Sequence, residues 1–184
     1  MMLRKILSYG VVAGLIAGVP QSVMVVAMKD HLPSVVTGYL IMLVALSTVF
    51  VAIKRQRDVE GDGVIRFWPA FGLGLGISAV AGVLYVLAWE TAVAVTQMDF
   101  AGSYAAMLID EQKAKGVSAE ALAKFTAEME QFKADYARPL YRLPMVFAEI
   151  FPIGVLVSLV SAALLRNPRF LPAKARQLGG TLAR

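Results

Sequence analysis

The stretch Phe67–Met98, FWPAFGLGLGISAVAGVLYVLAWETAVAVTQM, decides the fold of this chain. Its only charged residue is Glu90. An α-helix rises about 1.5 Å per residue, so roughly 20 apolar residues cross a hydrocarbon layer about 30 Å thick. Three further runs repeat the pattern, Ile6–Met28, Val35–Ile53 and Leu143–Leu165, and Glu149 is the one charge among them. Inside lipid every backbone N–H and C=O must be bonded within its own segment, so such runs are helices. The sequence predicts an all-α integral membrane protein. It is read as a four-helix bundle with spans at about 6–28, 35–53, 69–95 and 143–165, forming a single membrane domain over 1–184.

Composition agrees. Of 184 residues, 58% are hydrophobic and 17% charged, against about 45–50% and 25% for ordinary soluble domains. The net charge of +5 reflects basic residues at the helix ends, which a membrane edge explains better than nucleic acid does. Cysteine is absent, which excludes thiolate metal sites, disulfides and cysteine nucleophiles. Arg4-Lys5 before the first run resembles the start of a secretory signal, with Val25-Val26-Ala27 as a tolerable cleavage site. A signal core spans about 7–15 residues, however, and this run is longer, so it reads as an uncleaved span.

Short loops rich in Lys and Arg stay in the cytoplasm. Arg4, Lys5, Lys54, Arg55, Arg57, Arg66, Arg166, Arg169, Lys174, Arg176 and Arg184 fall on one side of the spans. Lys29, Lys113, Lys115, Lys124, Lys133, Arg138 and Arg142 fall on the other, diluted by seven acids between Asp99 and Asp135. Both termini are therefore expected in the cytoplasm of a bacterial inner-membrane protein. The basic tail 166–184, which also carries Phe170, Leu171 and Leu178, would rest on anionic lipid or serve only as a topology signal.

Residues 99–138 read as a helical hairpin between the third and fourth spans, on the extracytoplasmic side. Leu122, Phe125, Met129, Phe132 and Tyr136 form one apolar stripe, and Phe100, Tyr104, Met107 and Leu108 a shorter one. Gly116 separates them, Ser118 can cap the second helix with Glu120 in its first turn, and Pro139 closes it. The first of these helices is expected to continue from span three. The stripes would close on each other, on the membrane surface or on a partner.

Small residues recur one turn apart in three spans: Gly10, Gly14 and Gly18; Ala70, Gly74, Ser78 and Gly82; Gly154, Ser158 and Ala162. Lipid tails are as apolar as leucine, so membrane helices associate by close contact, which small residues permit. These stripes predict tight packing among spans one, three and four, or between copies in a homo-oligomer. Gly72, Gly74 and Gly76 lack the βαβ context of a nucleotide loop.

Three polar residues lie deep in the spans. Gln21, Tyr39 and Glu149 stand fifteen to seventeen residues from the basic edges at Lys5, Lys54 and Arg166, about 23–26 Å along their helices. They form an intramembrane polar layer, with Glu90 at its outer boundary. Trp68 and Trp89 would anchor the two interfaces, and Pro20 and Pro152 sit close to the layer, where they can bend their helices. A neutral Glu149 bonded to Gln21 or Tyr39 would be a clasp; an ionised one near Arg142 would be an ion pair. A proton- or cation-handling role for Glu149 with Glu90 is the functional alternative. No catalytic set can be assembled: His31 is the single histidine, and no ligands cluster for a metal or cofactor. The acids of the hairpin, such as Asp110, Glu111, Glu128 and Glu130, read as solvated helix faces.

Several segments together resemble a known group. They are Lys5-Ile6-Leu7 leading into the glycine-rich first span, Gly38-Tyr39-Leu40-Ile41-Met42, Ile53-Lys54-Arg55-Gln56-Arg57-Asp58, Phe67 with Ala70-Phe71, Glu149-Ile150-Phe151-Pro152-Ile153-Gly154 and Leu164-Leu165-Arg166. The chain resembles the bacterial multi-pass membrane proteins of domain of unknown function 4199. The resemblance implies an inner-membrane protein and supplies no activity. The expectation from residues alone is a non-enzymatic scaffold or interaction protein, with lipid, a protein partner or its own copy as contacts. The alternative is a small proton- or cation-linked carrier or channel subunit using Glu149.

Overall fold

The computed structural model describes residues 2–27 and 35–173. Met28, Lys29 and His31, and the tail from Lys174 through Arg184, lie outside the described residues, so the readings placed on them stand as sequence expectations. Among the described residues there are six helices and no strand: α1 Met2–Ala27, α2 Val35–Glu60, α3 Phe67–Thr96, α4 Phe100–Ala114, α5 Ala119–Tyr136 and α6 Pro139–Leu165. α1, α2, α3 and α6 are long and apolar enough to cross a membrane. At 26 to 30 residues each they extend roughly 39–45 Å, so their ends reach past the hydrocarbon into the headgroups. Large apolar side chains such as Leu3, Val44, Leu87 and Leu156 point outward, as they must where the surrounding medium is lipid.

Packing follows the small residues. α1 lies on α3, α3 on α6, α6 on α2 and α2 on α1. A β-carbon added at Gly10 would stand 2.6 Å from Cβ of Val80, at Gly14 2.6 Å from Cβ of Leu84, and at Gly18 2.7 Å from Cβ of Ala88. Gly74 and Gly154 sit against Ser158 and Ser78, and Gly82 against the Phe147 ring. Ser78 and Ser158 are fully buried and approach to 3.4 Å, and each donates to the carbonyl one turn back, of Gly74 and Gly154. These stripes are thus occupied by neighbours within one chain.

Pro20, Pro144 and Pro152 all lie within unbroken helices. The expected continuity of span three with the hairpin is not what forms. α3 stops at Gln97, whose φ of 55° is left-handed, and Asp99 caps α4 by accepting from the Gly102 N–H at 2.8 Å. That cap satisfies an amide which a continuous helix would have bonded internally, so a corner is stabilised here. Ser118 caps α5 in the same way, through the Ala121 N–H at 3.2 Å, and Pro139 opens α6 after α5 has ended at Tyr136. α4 and α5 pair with one another through Tyr104 and Phe132, and the Phe100 and Tyr136 rings lie 5.6 Å apart.

The end opposite the hairpin is tied together by charge. α2 runs on to Glu60, so Lys54, Arg55 and Arg57 belong to its last turns and not to a loop. Lys5 of α1 pairs with Gln56 and Glu60. Arg57 is fully buried: it donates to Asp58 at 2.8 Å, to the Phe170 carbonyl at 2.8 Å and to the Leu171 carbonyl. Trp68 is exposed beside Phe67 and Phe71, where an interfacial aromatic belongs.

Candidate functional site

At the hairpin end the four long helices do not close. A cavity of about 390 Å³ opens between them and the α4–α5 pair, within the range of roughly 300–1,000 Å³ usual for small-molecule sites. Gln21 of α1, Tyr39 of α2 and Glu149 of α6 all line it, with Tyr85 of α3. Glu149 lies ten residues into α6, about 15 Å below its first turn. The structure therefore brings together three of the four polar positions singled out in the spans. Tyr39 is half exposed and Glu149 is exposed, whereas Tyr85 is buried beside Glu149. Among the described residues no hydrogen bond closes Glu149 onto Gln21 or Tyr39; its polar neighbour is instead the Tyr85 hydroxyl, at the wall of the cavity that both line.

Glu90 does not join them. Its carboxylate accepts two bonds from Arg142, 2.7 Å from Nε and 2.6 Å from Nη2. The ion pair considered for Glu149 is thus made by Glu90, one helix away. Arg142 Nη1 also donates to the Tyr136 carbonyl at 3.3 Å, and the guanidinium stands 5.7 Å from the Tyr136 ring centroid. One side chain therefore ties α3, α5 and α6. The two-pronged geometry is the strong form of an ion pair.

The roof is aromatic. Trp89, read from sequence as an interface anchor, is buried: its indole N–H donates to the Tyr136 hydroxyl at 2.9 Å, and its ring meets Phe100 edge-on at 4.9 Å. Phe100 stacks on Tyr104, and Phe132 packs against Tyr136. Burial pushes the Tyr136 hydroxyl up to about 12, partly offset by the Trp89 bond, so this phenol stays neutral at physiological pH and keeps its acceptor role. Sequence reasoning missed Tyr85 and the inward turn of Trp89. The signal was their one-turn spacing, which puts both on a single face of α3. Met42, Met107 and Met145 complete the walls.

The profile of the family described as protein of unknown function (DUF4199) matches residues 8–167. The chain belongs to this family. The match takes in the glycine stripe of α1, every pocket residue and the Glu90–Arg142 pair, and it stops short of Phe170 and Leu171. No curated protein and no solved structure matches the chain. The family description carries no activity, so function rests on the pocket.

The Arg142–Glu90 pair holds the roof. The two side chains are 17% and 26% exposed, so the cost of breaking a fully buried pair, about 3–5 kcal/mol, is reduced by solvent screening to about 1–2 kcal/mol. Arg142→Met should lower thermal stability in detergent by that amount and speed proteolysis within 100–136. Unchanged proteolysis would show that aromatic packing alone seats the hairpin.

Proposed function

We propose that this is a non-enzymatic membrane protein of the bacterial cytoplasmic membrane: a four-helix bundle with both termini in the cytoplasm and the α4–α5 hairpin outside. Its pocket takes up a small ligand at Glu149, the binding step of a carrier. The observation that carries this reading is the convergence of Gln21, Tyr39, Tyr85 and Glu149, from four different long helices, on one cavity. A scaffold gains nothing from a carboxyl held open at that depth and would seal the layer with packed side chains. A charged group inside a span is expensive and is ordinarily retained for use.

The absence of cysteine makes the test direct. Tyr39→Cys and Glu149→Cys, each alone in whole cells, should react with a membrane-impermeant thiol reagent added outside. Leu46→Cys, at a fully buried position, should not react. Failure of both pocket cysteines to react would restore the scaffold reading. A reporter fused after Arg184 should be active in the cytoplasm; activity only outside would invert the topology.

A further inference from the structure

The pocket has an unusual chemical balance. Seven of its thirteen lining residues are aromatic and three are methionine. Glu149 is its sole charged lining residue among those described. Arg142, whose guanidinium lies over the ring of the lining residue Tyr136, is already engaged by Glu90 through Nε and Nη2, so its charge is matched elsewhere. Among the described residues Glu149 makes no ion pair. Its carboxylate thus has the Tyr85 hydroxyl beside it but no counter-charge, in a cavity lined by rings whose π-faces attract positive charge.

We propose that the ligand is a hydrophobic organic cation, of the quaternary ammonium or phosphonium type. This deepens the carrier reading and rests on it. Aromatic faces attract a cation through their quadrupole, more strongly once water is removed, and cages of this composition suit a cation whose charge is shrouded in carbon. Methionine adds a polarisable, adaptable wall. A small hard cation is a poorer match, because it demands several oxygen ligands and the pocket offers one carboxylate, one carboxamide and tyrosine hydroxyls. An anion is opposed by Glu149 and finds no free basic group among the described lining residues. The proposal therefore specifies the ligand by charge, through Glu149, and by carbon surface, through Tyr104, Trp89 and Phe132.

Tetraphenylphosphonium and tetraphenylborate have the same shape and opposite charge, so the pair isolates the charge term. The full-length chain in lipid nanodiscs, carrying Trp68→Phe so that Trp89 is the single indole, should show saturable quenching by the phosphonium beyond that of empty discs. The borate should give none. Glu149→Gln should weaken phosphonium binding about tenfold and Tyr104→Leu about fivefold, with both variants eluting like the parent and Glu149→Gln also matching it in melting temperature. Equal binding of the borate, or phosphonium binding untouched by Glu149→Gln, would overturn the cation assignment and leave the pocket reading standing. Absence of saturable phosphonium binding would also overturn it. The reactivity of the Tyr39→Cys and Glu149→Cys variants to outside reagent would then decide whether the pocket reading falls as well.

Discussion

Gly14→Leu should prevent stable folding. The added β-carbon alone would lie 2.6 Å from Cβ and 2.9 Å from Cδ1 of Leu84, with the Ala81 carbonyl at 3.3 Å. Cβ of Leu84 cannot swing away, because it is fixed to its backbone. The rest of a leucine side chain has no room at all, so α1 must leave α3 along the whole stripe, including Gly10 and Gly18. Overpacking ordinarily costs about 1–3 kcal/mol and sometimes more. Here close contact is itself the main attraction between helices in lipid, so the loss should reach about 3 kcal/mol. The variant should fail to accumulate or should melt far below the parent in detergent. The neighbouring position provides the contrast: Leu15 is half exposed on the outward side, and Leu15→Ala should change stability by about 0.5 kcal/mol or less. Equal effects at the two positions would mean that the α1–α3 contact does not hold the fold.

The long helices were legible because two simple periodic signals coincide in them. Length and apolarity mark the spans, and four-residue spacing of glycine and serine marks the faces that meet. Depth counting also placed Gln21, Tyr39 and Glu149 at one level, since rise per residue is nearly constant in a helix. What counting along single helices cannot supply is rotation. Glu90 and Glu149 differ in which neighbour they face, and so Arg142 went to Glu90 and left Glu149 beside Tyr85 with no counter-charge among the described residues. Trp89 was ambiguous for the same reason, since an indole suits a lipid interface as well as a buried hydrogen bond. The corner at Gln97 was hidden because Asp99 reads equally as a helix residue or a cap until the Gly102 amide is seen to bond to it. The burial of Arg57 was least legible: a basic run at a helix end ordinarily faces water, and only the return of Phe170 and Leu171 shows otherwise.

That burial makes Arg57→Met the second large expected effect. The guanidinium satisfies two main-chain carbonyls and one carboxylate, and its side chain is wholly enclosed. Methionine fills part of the volume but donates nothing. Two carbonyls and Asp58 would each lose a partner, at about 1–3 kcal/mol for each buried group left unsatisfied. Asp58 keeps Lys54, and Phe170 and Leu171 can swing into water, so the net loss should be about 3 kcal/mol. Leu171 also holds a left-handed φ of 46°, a conformation that a branched side chain resists and that the Arg57 bond to its carbonyl offsets. Released, the segment 166–173 should become a fast trypsin site at Arg166 and Arg169, while the hairpin at the far end stays resistant. The consequence reaches the proposed carrier role. A carrier pocket open at one end needs the other end shut, and the parts that would close it are Arg57 and the returning chain. Lys5 and Glu60 instead border a cleft of about 360 Å³ between α1 and α2. On the proposed topology, Arg57→Met should therefore let the impermeant reagent, supplied to inverted vesicles, reach a cysteine introduced by Leu46→Cys, which the intact protein shields. If the variant melts and resists trypsin like the parent, this end is sealed by the packing of α2, α3 and α6 alone.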